Sequence, residues 1–301
     1  MKWFQTTGIY SLPEIIPKII LIFFIFSFIG WLCEVIYVGF IFEHRFINRG
    51  FLFGPICPIY GIAGVLMLFF PEKLQHSVIL LFFSGVVICT AVEYISSFLL
   101  EKLFHTTWWD YSNKQIQIGS TIIKLNLNGR ICLQNSLLFG IMTVIGIKFV
   151  FPFIQKIISS IPQNLTKYFA IILSIIFIFD LIFTVKSLID FNKYIYKIKT
   201  LGTTLEEKFH KEEWFNNDSL KEIFISVTNQ FKTKKEKFDE KIIKDFNYLK
   251  EKLKNTKRYI NKFPTMKSHK YKEVIPLLQN DEINSDKKNR HLQEWKCLFN
   301  F

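Results

Sequence analysis

Residues 18–42 read KIILIFFIFSFIGWLCEVIYVGFIF, an apolar run with Lys18 at its start and a single acid, Glu34, inside it. A run of this length crosses a bilayer as a helix, since about 20 residues match the hydrocarbon core. It is too long for the apolar region of a secretory signal, and no small-x-small site follows, so it reads as a retained anchor. Outward from it lie four more apolar segments, at about 55–70, 77–100, 131–150 and 165–189. The expected fold is therefore an all-α integral membrane protein with about five transmembrane helices. The second segment is the shortest and carries Gly54, Pro55, Pro58, Gly61 and Gly64, so the alternative for 55–70 is a kinked or re-entrant piece.

Charge is segregated along the 301 residues. Residues 1–190 hold 13 Lys/Arg and 9 Asp/Glu, whereas 191–301 hold 25 and 16, and the whole chain carries +13. This pattern excludes a soluble two-domain enzyme. It divides the chain into a transmembrane domain, 1–190, and a basic, mostly helical tail, 191–301. With five spans, Arg45, Arg49, Lys102, Lys114, Lys124 and Arg130 face one side, and Lys2, Lys18, Lys73, Lys148, Lys156 and Lys167 the other. Lys193, Lys197 and Lys199, directly after the last segment, break the tie in favour of a cytoplasmic tail. The expectation is a multi-pass protein of the plasma membrane with its N-terminus outside. In the tail, Phe238, Ile242, Phe246, Leu249 and Leu253 share one helical face among many lysines. Such a helix packs on another helix, lies on anionic membrane lipids or docks a partner. No nucleic-acid recognition motif accompanies the charge, so none is expected as a partner. The run 280–290 is polar.

Two parts of the membrane half read alike. Glu34 is followed by a loop with Asn48, Arg49 and Gly50 and then an apolar segment; Glu93 is followed by Asn128, Gly129 and Arg130 and then another. On the segment ends above, both acids lie about 11–12 Å inside their helices at 1.5 Å per residue. The loops differ in length and the order changes from NRG to NGR, so this is a weak parallel repeat of two hairpins. An ionised carboxylate at that depth costs a few kcal/mol, roughly, so it must face the bundle, carry a proton or meet a cation. The expectation is a polar cluster of Glu34, Glu93, Arg49 and Arg130 with Asn48 and Asn128 beside it, which Asp180 could join. The competing reading is that these groups only fix helix register.

The third loop holds Glu101, His105, Trp108, Trp109, Asp110 and Tyr111. Glu101 and His105 share a face if the helix continues, but no second histidine stands near, so no metal is expected. The double Trp reads as an interfacial aromatic belt, or else as a platform for a ligand or headgroup. Cys33, Cys57, Cys89, Cys132 and Cys297 show no CxxC spacing and read as buried thiols.

Taken as strings, Gly30-Trp31, Glu34-Val35-Ile36-Tyr37, Asn48-Arg49-Gly50-Phe51-Leu52 and Gly54-Pro55-Ile56-Cys57-Pro58-Ile59-Tyr60-Gly61 have a familiar order. They continue through Glu93-Tyr94, Ser97, Trp108-Trp109-Asp110-Tyr111-Ser112 and Asn128-Gly129-Arg130-Ile131-Cys132-Leu133. Over about residues 20–160 the chain resembles a bacterial membrane family, the putative ABC-transporter type IV permeases (CmpB-like). Phe263-Pro264 through Tyr271 is similar to a short ending of some members, whereas 115–126 looks inserted. The resemblance implies a permease-like subunit, with a separate ATPase subunit or further copies of the chain as partners. No GxxxxGK[ST] loop occurs, so ATP must be bound elsewhere, and no cofactor or catalytic residue is indicated. Two other classes fit the same residues: a non-transporting scaffold or sensor, and an intramembrane acid/base enzyme acting on a lipid.

Overall fold

A computed structural model describes residues 12–37, 46, 48–118 and 121–213, and scattered tail positions (216, 218, 223, 226, 244, 245, 248, 259, 260, 262, 263, 265–269, 272, 274 and 275). The helices are α1 (Leu12–Glu34), α2 (Pro58–Leu68), α3 (Glu72–His76), α4 (Val78–Phe104), α5 (Leu133–Ile145), α6 (Phe151–Ser160) and α7 (Gln163–Phe209). Four helical stretches are long and apolar enough to span a membrane: Pro13–Tyr37, Val78–Phe104, Leu133–Ser160 and Gln163–Phe209. Their outward residues, such as Ile172, Ile176, Phe179 and Phe183 on α7, are large and exposed. Lipid tails rather than water are the solvent for such a face. The chain is a helical, multi-pass membrane protein.

The second expected span is where the structure departs from a count of five full-length helices. α2 has 11 residues, about 16 Å of helix, roughly half the hydrocarbon thickness. Pro58 at its first turn sets where it begins. It nevertheless retraces α1: a Cβ at Gly30 would strike Tyr60, one at Gly64 would strike Phe26, and Leu68 packs with Leu21 and Ile22. Chain direction therefore reverses as in a five-pass bundle, although four helices have the length. The tightest approach is at Gly61, where a Cβ would overlap both the Ser27 hydroxyl and the Phe23 carbonyl. Small residues permit this closeness of backbones.

The fourth segment runs past 150 through a π-turn, Gly146–Val150, into α6. Pro152 accounts for it: the ring has no N–H to donate and collides with the carbonyl four residues back, which a wider turn relieves. The fifth segment does not end near 189 but continues to Phe209. Leu188, Phe191, Ile195, Ile198, Leu201 and Leu205 are all buried at helical spacing, so one face keeps the helix going.

Among the described residues, six short strands form three antiparallel ribbons: β1 (Thr106–Thr107) with β6 (Lys267–Ser268), β2 (Gln115–Ile118) with β3 (Thr121–Lys124), and β4 (Asn126–Leu127) with β5 (Ile131–Cys132). The inserted-looking stretch 115–126 is mostly the β2–β3 hairpin, with Gln115 opposite Lys124. The chain forms two compact units, one of Met1–Leu99 with Asp110–Lys186, the other of Leu100–Trp109 with Ser187–Phe301. The expected apolar face at Phe238, Ile242, Phe246, Leu249 and Leu253, and the polar run 280–290, lie outside the described residues.

Candidate functional site in the helical bundle

The first hairpin builds its polar site from both helices and the loop between them. Glu34, the last residue of α1, accepts a 2.7 Å hydrogen bond on Oε1 from the Tyr60 hydroxyl of α2. Its Oε2 lies 3.9 Å from Nε of Arg49. Asn48 folds the loop by its side chain: Oδ1 accepts from Trp31 Nε1 at 2.9 Å and from the Gly50 amide at 3.0 Å, and Nδ2 donates to the Phe53 carbonyl. Arg49 is held in position by the residue on either side of it.

The second hairpin reaches a different arrangement with the same residue types. Glu93 is 5% exposed and accepts on Oε1 from the Tyr111 hydroxyl at 3.3 Å. Its Oε2 is buried and, among the described residues, has no hydrogen-bond partner. Asn135 donates to the Tyr111 oxygen at 2.8 Å. An amide nitrogen can only donate, so the phenol proton is left to point at Glu93. Arg130 does not stand in for Arg49. Its guanidinium lies over the Tyr94 and Phe98 rings, 5.7 and 5.6 Å from their centroids, and donates to Ser97 Oγ at 3.4 Å. A guanidinium so placed gains from the ring faces and does not need the carboxylate.

Asn128 also parts company with Asn48. It sits at φ +53°, followed by Gly129 at φ +68°, and the Arg130 amide donates to the Leu127 carbonyl at 3.0 Å. This is a type I′ turn joining β4 to β5, which needs positive φ at both central residues. Asn-Gly is the strongest sequence signal for that turn, and it was available in Asn128-Gly129. The Asn128 side chain donates to the Tyr94 hydroxyl at 3.1 Å.

The expectation that Asp180 could join the acids is corrected by its contacts. Its Oδ1 accepts from the Phe53 amide at 2.8 Å and from Thr184 Oγ1 at 3.2 Å, and its Oδ2 from the Gly54 amide at 2.7 Å. The carboxylate pins the loop backbone that leads into α2, and two amide donors meet its need for positive partners.

Burial pushes the Tyr111 phenol well above its ordinary range; the Glu93 carboxylate adds most after that, then Cys132 and Glu34. Tyr111 therefore feels the acids of both hairpins. Tyr60 and Asn135 belong to this constellation without having been singled out beforehand. The available signal was a phenol and an amide at the ends of apolar helices, where each must find a partner.

The six residues of the third loop do not gather as one platform. Trp108 is 2% exposed and packs edge-on against Phe104, Tyr259 and Phe263, with centroids at 6.2, 6.1 and 5.1 Å. It is the core of a small aromatic cluster closed by the tail, not part of an exposed belt. α4 ends at Phe104, and His105 at φ +51° leaves the helical course, so Glu101 and His105 do not pair. Glu101 instead has His269 Nε2 at 3.5 Å from Oε1 and accepts from Thr107 Oγ1 at 3.3 Å. The His269 amide donates to the His105 carbonyl at 3.1 Å. Trp109 is half-buried in that same unit. Asp110 and Tyr111 belong to the bundle unit, where Asp110 Oδ1 accepts from the amide and the hydroxyl of Ser112.

The family model ABC_trans_CmpB, described as "Putative ABC-transporter type IV", matches residues 21–185. That range contains both hairpins, Asp180 and all of the contacts around Glu34 and Glu93. No curated protein and no solved structure matches the chain.

Proposed function

The chain belongs to the family described as "Putative ABC-transporter type IV", and from that premise we propose that it is the permease-like membrane subunit of a transporter driven by a separate ATPase. The observation that carries this reading is a pair of carboxylates from separate hairpins of one compact helical unit, each met by a tyrosine hydroxyl. Groups placed to fix helix register alone would be fully satisfied by one another. A buried acid with one oxygen left over is what a working site retains. On this reading Glu34, Arg49, Glu93, Tyr60 and Tyr111 form the centre of the site. Asn48 and Asp180 act as positioning residues for Arg49 and α2, while Arg130 and Asn128 order the second hairpin. Lys193, Lys197 and Lys199 support a cytoplasmic tail, the side on which an ATPase docks.

Affinity purification of the tagged full chain from native membranes, followed by mass spectrometry, tests the reading. A stoichiometric nucleotide-binding subunit, lost on mutation of neither carboxylate, is the expected result. Recovery of the chain alone from gently solubilised membranes, with no ATPase activity stimulated by it in proteoliposomes, overturns it.

A further inference from the structure

Glu34 and Glu93 lie in matching places in the two hairpins, but among the described residues only Glu34 has an ion pair, with Arg49 at 3.9 Å. Glu93 is the more deeply enclosed of the two, at 5% exposure within the span Val78–Phe104. A bare carboxylate so enclosed in an apolar span is costly to hold. The guanidinium that the second hairpin supplies is engaged with Tyr94, Phe98 and Ser97.

Among the described residues, titratable groups from five parts of the fold act on this carboxyl. Glu34 comes from α1, Tyr60 from α2, Cys89 from its own helix, Tyr111 from the connection after α4, and Cys132 from the start of α5. None of these is a cation. The hydrogen bonding also has a direction. Asn135 donates to Tyr111 and Tyr111 donates to Glu93 Oε1, so the remaining oxygen, Oε2, is where a proton belongs.

We propose that Glu93 is a proton-binding site, its Oε2 carrying an exchangeable proton near neutral pH, while Glu34 has Arg49 beside it. Uptake takes one proton from the aqueous phase and converts the carboxylate to the acid; release returns it, and no other bond changes. The inference rests on reading the two acids as one functional centre and names the ion that the centre exchanges. Coupling follows from the geometry: bringing a second positive charge to the pair, or withdrawing Arg49, changes the protonation of Glu93.

Infrared difference spectroscopy of the full chain in lipid nanodiscs, titrated with pH, tests this without knowledge of any cargo or ATPase. The expected result is a protonated-carboxyl carbonyl band present near neutral pH, lost on alkalinisation, absent in Glu93→Gln and retained in Glu34→Gln. Tyr111→Phe is expected to shift the band, because it removes the hydrogen bond to Oε1. Wild-type protein with no such band near neutral pH overturns the proposal, whatever the variants do. A band that persists in folded Glu93→Gln protein overturns it equally. Because the band is read on the isolated chain, its absence leaves the ATPase-driven permease reading standing, and failure to recover an ATPase leaves the proton site standing.

Discussion

The two hairpins of the bundle start from nearly the same residues and end in different electrostatic arrangements. In the first, a Glu, a Tyr and an Arg close on one another, and the loop is fixed by the side chain of Asn48. In the second, the Arg turns onto aromatic rings, the loop is fixed by the backbone of Asn128 and Gly129, and the Glu keeps an oxygen unmatched among the described residues. A cation therefore stays beside its carboxylate in one hairpin and finds a better surface in the other. The lesson is that a repeated residue pattern specifies which groups are brought together, while their pairing depends on local alternatives such as the Tyr94 and Phe98 rings.

The largest difference between the hairpins is expected in their helix contacts. Val at Gly61 overlaps a backbone carbonyl that cannot move, so Gly61→Val should lower stability by about 3 kcal/mol, seen as a drop in thermal unfolding temperature. The counterpart Gly85→Val meets the side chain of Thr143, whose Oγ1 can rotate away but whose Cβ cannot, and should cost somewhat less, about 2 kcal/mol. Equal losses would show that the first hairpin is not the more tightly locked one.

Next in size are the acids themselves. Glu34→Gln gives up a charge-assisted contact and should cost about 2 kcal/mol, whereas Glu93→Gln should cost under about 1 kcal/mol if the native group is already neutral. Thermal melts of the two variants in the same detergent decide this, and a larger loss for Glu93→Gln would reverse the assignment. Asp180→Asn keeps one acceptor oxygen for the Phe53 and Gly54 amides and should cost about 1 kcal/mol. Its local signature is faster amide exchange over 53–54, with the second hairpin unaffected.

The smallest effect is that of Tyr111 in alkali. Its phenol is raised in the folded state, chiefly by burial, so the unfolded chain releases this proton first as pH rises. The stabilisation is complete below the ordinary phenol value of about 10 and is lost as pH climbs from there through the folded value. Tyr111→Phe should flatten the alkaline loss of stability in that window, on top of a pH-independent cost of about 1 kcal/mol from the hydrogen bonds it gives up. An identical alkaline profile would remove Tyr111 from the buried site.

Much of this was legible beforehand. Long runs with one acid apiece announce helices that cross a bilayer, and the cost of a carboxylate in hydrocarbon marks Glu34 and Glu93 without any coordinates. The broken second segment was legible too, in Pro55, Pro58 and Gly61, although its helix begins only at Pro58. Less legible were the partners. Tyr60 is 26 residues from Glu34, Asp180 is 126 from Gly54, and Glu101 is 168 from His269. Nothing local in the chain ties such residues together. The third loop misled for the same reason: Trp108-Trp109 looks like a membrane-edge pair until Tyr259 and Phe263 are seen to enclose Trp108.

Composition and order along the chain determined that this protein is a bundle of membrane helices, where its acids are embedded and how its basic charge is distributed. These follow from solvation, a property that each segment carries by itself. Which acid meets an arginine, which loop receives Asp180 and which oxygen of Glu93 is left over were decided only by the folded bundle. Hydrogen bonds and ion pairs reach only a few ångströms, so they depend on where the packing of whole helices leaves each side chain.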